Sequence, residues 1–123
     1  MTSTTHLFRQ IHPLQLKDGS ATSTAFRPKS NDHSLLSVYD GDLVSAAEAW
    51  SHYTETLKLA SFGTLGFTVE ECNRESLTAR PDPVENNPHH AVIDFLGLTE
   101  KEVTTKSKEL KKKAVARGWL YVG

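Results

Sequence analysis

The chain has a single cysteine, Cys72, among 123 residues, so no internal disulfide can form. That pattern fits a reducing compartment. The thiol follows Glu70-Glu71, and neighbouring carboxylates raise a thiol pKa and slow its chemistry. Cys72 is therefore expected to be idle rather than a nucleophile. No apolar run approaches the ~20 residues that a membrane-spanning helix needs. The start, Met1 to His6, has neither basic residues nor an apolar stretch, and does not read as a secretory leader. A cytoplasmic protein that does not enter membranes is the expectation. Four sequence signatures are also missing: the G-x-x-x-x-G-K-[ST] phosphate loop, the G-x-G-x-x-G turn, the G-x-S-x-G elbow and the H-E-x-x-H helix. One cysteine cannot make a C-x-x-C zinc half-site.

What is present describes an ordinary globular domain. Hydrophobic residues make up 37% and charged residues 24%, well away from disordered compositions. A chain of this length is expected to form one domain, 1–123, with a core of its own. The net charge of −1 hides a split. Residues 1–98 carry seven Lys/Arg against twelve Asp/Glu, whereas 99–123 carry seven Lys/Arg against three Glu. An acidic body with a basic tail suits a charged interface.

The apolar, uncharged stretch Ser61 to Val69 reads as a strand at the centre of a sheet. Gly63 and Gly66 leave room there for close packing of a helix. Further strands are predicted at Leu7–Ile11, Ala21–Arg27, Leu35–Tyr39, Ser76–Arg80 and His89–Phe95, with Trp119–Val122 returning as a terminal strand or packing on the sheet. Residues 1–5 are small and polar and are expected to fray. Lys17 to Ser20 is turn chemistry, with Gly19 free to take positive φ. Pro28 to His33 and Pro81 to Pro88 read as polar loops. Three capping boxes mark helix starts: Ser45 with Glu48, Thr68 with Glu71, and Thr99 with Glu102. The first helix is predicted over 46–58, with Ala46, Trp50, Tyr53 and Leu57 as its apolar stripe. The last is predicted over 100–117, closed by Gly118 and with its lysines at the end that suits the helix dipole. The sum is an α+β domain: a mostly antiparallel central sheet of about five strands with two main helices against it.

Several polar groups could carry chemistry. His90 and Asp94 share a strand face but lie about 13 Å apart at ~3.3 Å per residue, too far to share an ion, and His89 points the other way. Glu48, His52 and Glu55 share a helix face, which a solvated i,i+4 flank explains. No metal and no cofactor is therefore expected. Lys111, Lys112, Lys113 and Arg117 form the candidate binding surface for an acidic protein partner. Nucleic acid is a weaker candidate, because no aromatics alternate with the lysines as in a stacking platform. Arg9, His12, Arg27 and Tyr39 come from the first three predicted strands and form the candidate catalytic set. Together with Ser23 and Thr24 they could hold a phosphate or dinucleotide through arginine. They could equally cleave RNA without a metal, with His12 as general base.

The order Phe8-Arg9, then a Ser/Arg-bearing loop at Ser23 to Arg27, Ser37-Val38-Tyr39 on a strand, and an alanine-rich helix with Glu48 is similar to that of RES domains. The likeness covers the first fifty residues or so and lacks that family's Gly-Gly-Arg-Trp/Phe-Asn signature. It implies an ADP-ribosyltransferase-like fold and NAD degradation. Two functions thus stand side by side. One is a cytosolic binding module, an accessory subunit or an antitoxin- or immunity-like partner of another protein. The other is a compact metal-independent enzyme acting on RNA or NAD.

Overall fold

Each capping box starts a helix in the computed structural model, which describes residues 1–29 and 34–123. Ser45, Thr68 and Thr99 each accept from the backbone amide three residues on, and Glu48, Glu71 and Glu102 each reach back. They open α1 (Ala46–Ser51), α2 (Val69–Arg74) and α3 (Glu100–Arg117). Gly118, at φ 89, ends α3 by returning its amide to Ala114 and Val115. The first helix departs from expectation halfway. It continues as a π-helical turn, His52–Thr56. Thr54 Oγ1 donates back to the Trp50 carbonyl at 2.9 Å, a contact that competes with the regular helix ladder.

Among the described residues eight strands form between and around these helices: β1 (His6–Ile11), β2 (Leu16–Lys17), β3 (Ser20–Ala21), β4 (Leu35–Asp40), β5 (Gly63–Thr68), β6 (Thr78–Pro81), β7 (His90–Asp94) and β8 (Tyr121–Val122). Six make one antiparallel sheet in the order β6-β7-β4-β1-β5-β8. The domain is α+β, as its sequence predicts. Strands β2 and β3 form a separate ribbon whose turn has positive φ at both Asp18 and Gly19, the conformation that matches strand twist in a tight hairpin.

Three expectations need correcting. The strand at Ser61–Val69 is not central: β8 pairs outside it, Gly63 against Val122, and the middle of the sheet is the β4–β1 pair. Nor is Ala21–Arg27 a strand. After Ala21 the chain turns into a short 3-10 segment, Ser23–Phe26, whose Ala25 and Phe26 are fully buried. Of the polar loop expected over Pro28 to His33, residues 30–33 lie outside the described residues. Residues 1–5, expected to fray, carry defined contacts. Thr5 is buried and donates to Asp42 at 2.7 Å, and the Ser3 and Thr5 carbonyls accept from the first amides of α2.

Alternation along the strands sorts side chains onto two faces. One face holds the larger core, with Leu7, Ile11, Leu36, Leu65, Phe67 and Ile93 under Phe26, Leu110 and Ala114. Cys72 belongs to this core. Burial, and then Glu71, push its thiol up to about 12, so it is inert. The other face carries a smaller cluster of Phe8, Tyr39 and Ala49, flanked by Val44, Ala46, Tyr53 and Leu120. The π turn lies above this second face.

Candidate functional site

The two central strands part company halfway along. β1 pairs with β5 over its whole length, from His6 to Ile11. β4 pairs with β7 from Leu35 to Tyr39. Between β1 and β4, however, only Leu7–Asp40 and Phe8–Tyr39 are paired. Beyond them both strands continue, and the ladder between them does not. Arg9 bridges the gap. Its Nη1 donates to the Ser37 carbonyl at 2.8 Å and its Nε to the Ala25 carbonyl at 2.7 Å. A backbone carbonyl that loses its ladder partner needs another donor, and the guanidinium supplies it.

A cavity of about 380 Å³ opens at this split. Its floor is made by Ser37, Tyr39 and His90, and Arg9 and Gln10 line its β1 side. The π turn and the chain after it supply an apolar wall of Tyr53, Leu57 and Leu59, with Phe8 and Val84 completing it. Asn86 and Asn87 close the side formed by the β6–β7 connection, and Lys29 reaches the rim. Gln10 is almost wholly buried. Its Oε1 accepts from Ser61 and Thr64, and its Nε2 has no partner among the described residues.

Two histidines organise the polar floor, and one loop orients both. His90 places Nδ1 2.8 Å from the Asp82 carbonyl oxygen and 3.2 Å from the Asp82 carboxylate. A carbonyl oxygen can only accept, so the proton sits on Nδ1. Nε2 then offers its lone pair to the Ser37 hydroxyl at 3.0 Å. His52 is arranged the other way round. Its Nε2 faces the Asn86 carbonyl at 3.0 Å and must carry the proton there. Its Nδ1 accepts from the Tyr39 hydroxyl at 2.7 Å. The two rings meet edge to face, with centroids 5.7 Å apart. Burial first, and the neighbouring Tyr53 second, push the Tyr39 phenol well above its ordinary range, so it stays a neutral donor.

The loop between β6 and β7 can do this because it is stapled. Val84 and Asn87 exchange both backbone hydrogen bonds, at 3.1 and 3.0 Å. The buried Asn87 accepts from the His89 amide at 3.1 Å, and the Asp82 amide donates to the His90 carbonyl at 2.9 Å. Prolines 81, 83 and 88 restrict the rest.

Of the candidate catalytic set, Arg9 and Tyr39 meet at this cavity. His12 does not: its Nδ1 accepts from the Leu14 amide at 3.0 Å and caps a 3-10 turn, closed by Gln15. Arg27 turns to the opposite face of the sheet, towards Thr104 on α3 at 3.4 Å. Ser37, His52, Asp82 and His90 are the members that the sequence did not bring together. The one local signal was Ser37 and Tyr39 two apart on a strand, hence on one face. Glu48 and Glu55 do not join His52. Glu48 is taken by its capping box, and no cluster of three or more metal-ligating side chains occurs among the described residues.

The predicted basic surface divides. Arg117 forks onto Glu71 at 3.0 and 3.1 Å and donates to the Gly66 carbonyl at 2.9 Å, locking α3 to β5. Burial opposes ionisation of Glu71. The hydrogen bonds from Arg117 and Thr68 outweigh it and hold the carboxyl below the usual range. Lys112 pairs with Glu109 at 3.1 Å, and both Lys112 and Lys113 are exposed, with Lys111 half-buried beside them. No helix among the described residues is long and apolar enough to cross a membrane.

Compared with models of protein families, with curated proteins and with solved structures, the chain matches none.

Proposed function

We propose that the chain is a small cytosolic binding module whose ligand is a small molecule seated in the split between β1 and β4. The observation that carries this reading is the cavity itself, opened where two neighbouring strands stop pairing and Arg9 spans the gap. Its volume falls at the low end of the range for small-molecule sites, about 300–1,000 Å³. An apolar wall faces a floor of the Ser37 and Tyr39 hydroxyls and the His90 imidazole in fixed orientations, the division that such sites use to separate affinity from orientation. The ligand that fits is a neutral organic molecule with one apolar end and one hydrogen-bonding end. The exposed Lys112 and Lys113 of the predicted basic surface on α3 support a second contact, with an acidic protein partner, on the face of the sheet away from the cavity.

The test is a titration of the 15N-labelled protein with a set of small neutral ketones, amides and esters. Saturable shifts confined to residues around the cavity are expected. Val84 is 42% exposed and sits in the stapled turn. Val84→Trp should therefore fill the cavity with little change in melting temperature and abolish those shifts. Shifts that survive Val84→Trp, or that map elsewhere, would place the ligand outside this cavity.

A further inference from the structure

We propose that the cavity is an acyl-transfer site in which Ser37 is the nucleophile and His90 its general base; the proposal rests on the small-molecule reading of this cavity. Ser37 is the exposed residue of β4, placed between buried Leu36 and Val38, and its hydroxyl opens onto the cavity. A serine hydroxyl is a weak nucleophile until a neighbouring base takes its proton. His90 Nε2 is that base, 3.0 Å away with its lone pair directed at Ser37 Oγ. The direction is fixed on the far side of the ring. Asp82 occupies Nδ1 with both its carbonyl oxygen and its carboxylate. The carbonyl sets the tautomer, and the carboxylate stabilises the imidazolium that forms when the proton arrives. Asp82 is thus a positioning residue. The arrangement spans three segments: β4, β7 and the loop before β7.

The chemistry balances without a further reactant except water. Ser37 Oγ bonds to the carbonyl carbon of an ester while its proton passes to His90 Nε2. Collapse of the tetrahedral adduct breaks the bond to the leaving oxygen. That oxygen takes the proton from His90 and departs as an alcohol, leaving acyl-Ser37. A water then gives its proton to His90 and attacks the acyl carbon. The carboxylic acid leaves, and the proton returns to Ser37. The wall of Phe8, Tyr53, Leu57, Leu59 and Val84 would receive the acyl chain. The substrate class is therefore an ester of a short, uncharged, apolar acid.

The experiment uses the full chain. An alkyl fluorophosphonate is added, and the modified residue is located by mass spectrometry. Hydrolysis of p-nitrophenyl butyrate is followed in parallel. The expected adduct is on Ser37. Hydrolysis should be lost in Ser37→Ala and should fall by about a hundredfold or more in His90→Gln, the usual contribution of a general base. Far-UV circular dichroism of both variants establishes that they fold. If His90→Gln fails to fold, Ser37→Ala together with the labelling site decides the question. The ketone butyrophenone, which has no leaving group, separates the two claims. No Ser37 adduct and no hydrolysis above Ser37→Ala, with butyrophenone still shifting cavity resonances in a Val84-dependent way, would overturn the catalytic proposal and leave the binding site standing. Absence of both would overturn the two together.

Discussion

Phe67→Ala is expected to cost about 3–5 kcal/mol, as large aromatic truncations in a core do. That is a large share of the roughly 5–15 kcal/mol that holds a domain of this kind folded. Phe67 is fully buried on β5, opposite Leu7. Its ring meets Phe26 edge to face with centroids 6.0 Å apart. Phe26 comes from the short 3-10 segment, so the truncation would cut one of the contacts that tie this segment to the sheet, the Arg9–Ala25 hydrogen bond being another. Chemical denaturation checks this through a fall in midpoint with an unchanged slope. Gly66→Val, on the other face of the same strand, is the informative companion. The added carbon would approach Leu120 Cδ1 at 2.6 Å. That atom ends a flexible, half-buried side chain and can swing away. The cost should be clearly smaller than that of Phe67→Ala.

The second large effect belongs to Gly41, where β4 ends. A Cβ built there lies 2.5 Å from the His6 carbonyl oxygen and 3.1 Å from the His6 carbonyl carbon. These are backbone atoms, and the same oxygen accepts from the Gly41 amide at 2.8 Å. No side-chain rotation relieves the clash. Gly41→Ala must push β1 and β4 apart where their ladder is already only two pairs long. A loss of about 1–3 kcal/mol or more is expected from the overpacking. The cavity should suffer as well, since its floor depends on Phe8 staying beside Tyr39. A folded Gly41→Ala variant that keeps wild-type stability and an unchanged response to cavity ligands would refute this account of the β1–β4 junction.

Much of the fold was legible because its signals are local. A capping box needs only four residues, and all three appear where the sequence puts them. Gly118 ends α3 for the same reason, and the alternation in Leu35–Tyr39 and His89–Phe95 marks β4 and β7 to within a residue. The order of strands is a long-range property. Nothing in Ser61–Val69 says that Tyr121 and Val122 will pair outside it, so the most apolar strand read as the central one. The π turn at His52 was hidden for a different reason: its sequence continues a helical pattern, and only the packing shows the extra residue.

The candidate site was half legible. Arg9 and Tyr39 stood out as polar groups on apolar strands. His12 and Arg27 stood out equally, and the structure uses them elsewhere, one as a cap and one on α3. Residue type alone does not reveal which face a side chain takes at a strand end. Ser37 and His90 are 53 residues apart and meet only because β4 pairs with β7. The stretch from Pro81 to Pro88 read as a polar loop. It orients both rings through backbone carbonyls, which no side-chain pattern reports, and adds the Asp82 carboxylate beside His90.

This loop holds two imidazoles in opposite tautomers, His90 lining the cavity and His52 bonded to Tyr39 of its floor. Long-range 1H–15N correlation spectra of the histidine side chains, recorded where the rings are neutral, test it directly. The account predicts the proton on Nδ1 for His90, facing Asp82, and on Nε2 for His52, facing Asn86. His90 carrying its proton on Nε2, or both rings averaging between tautomers, would contradict it.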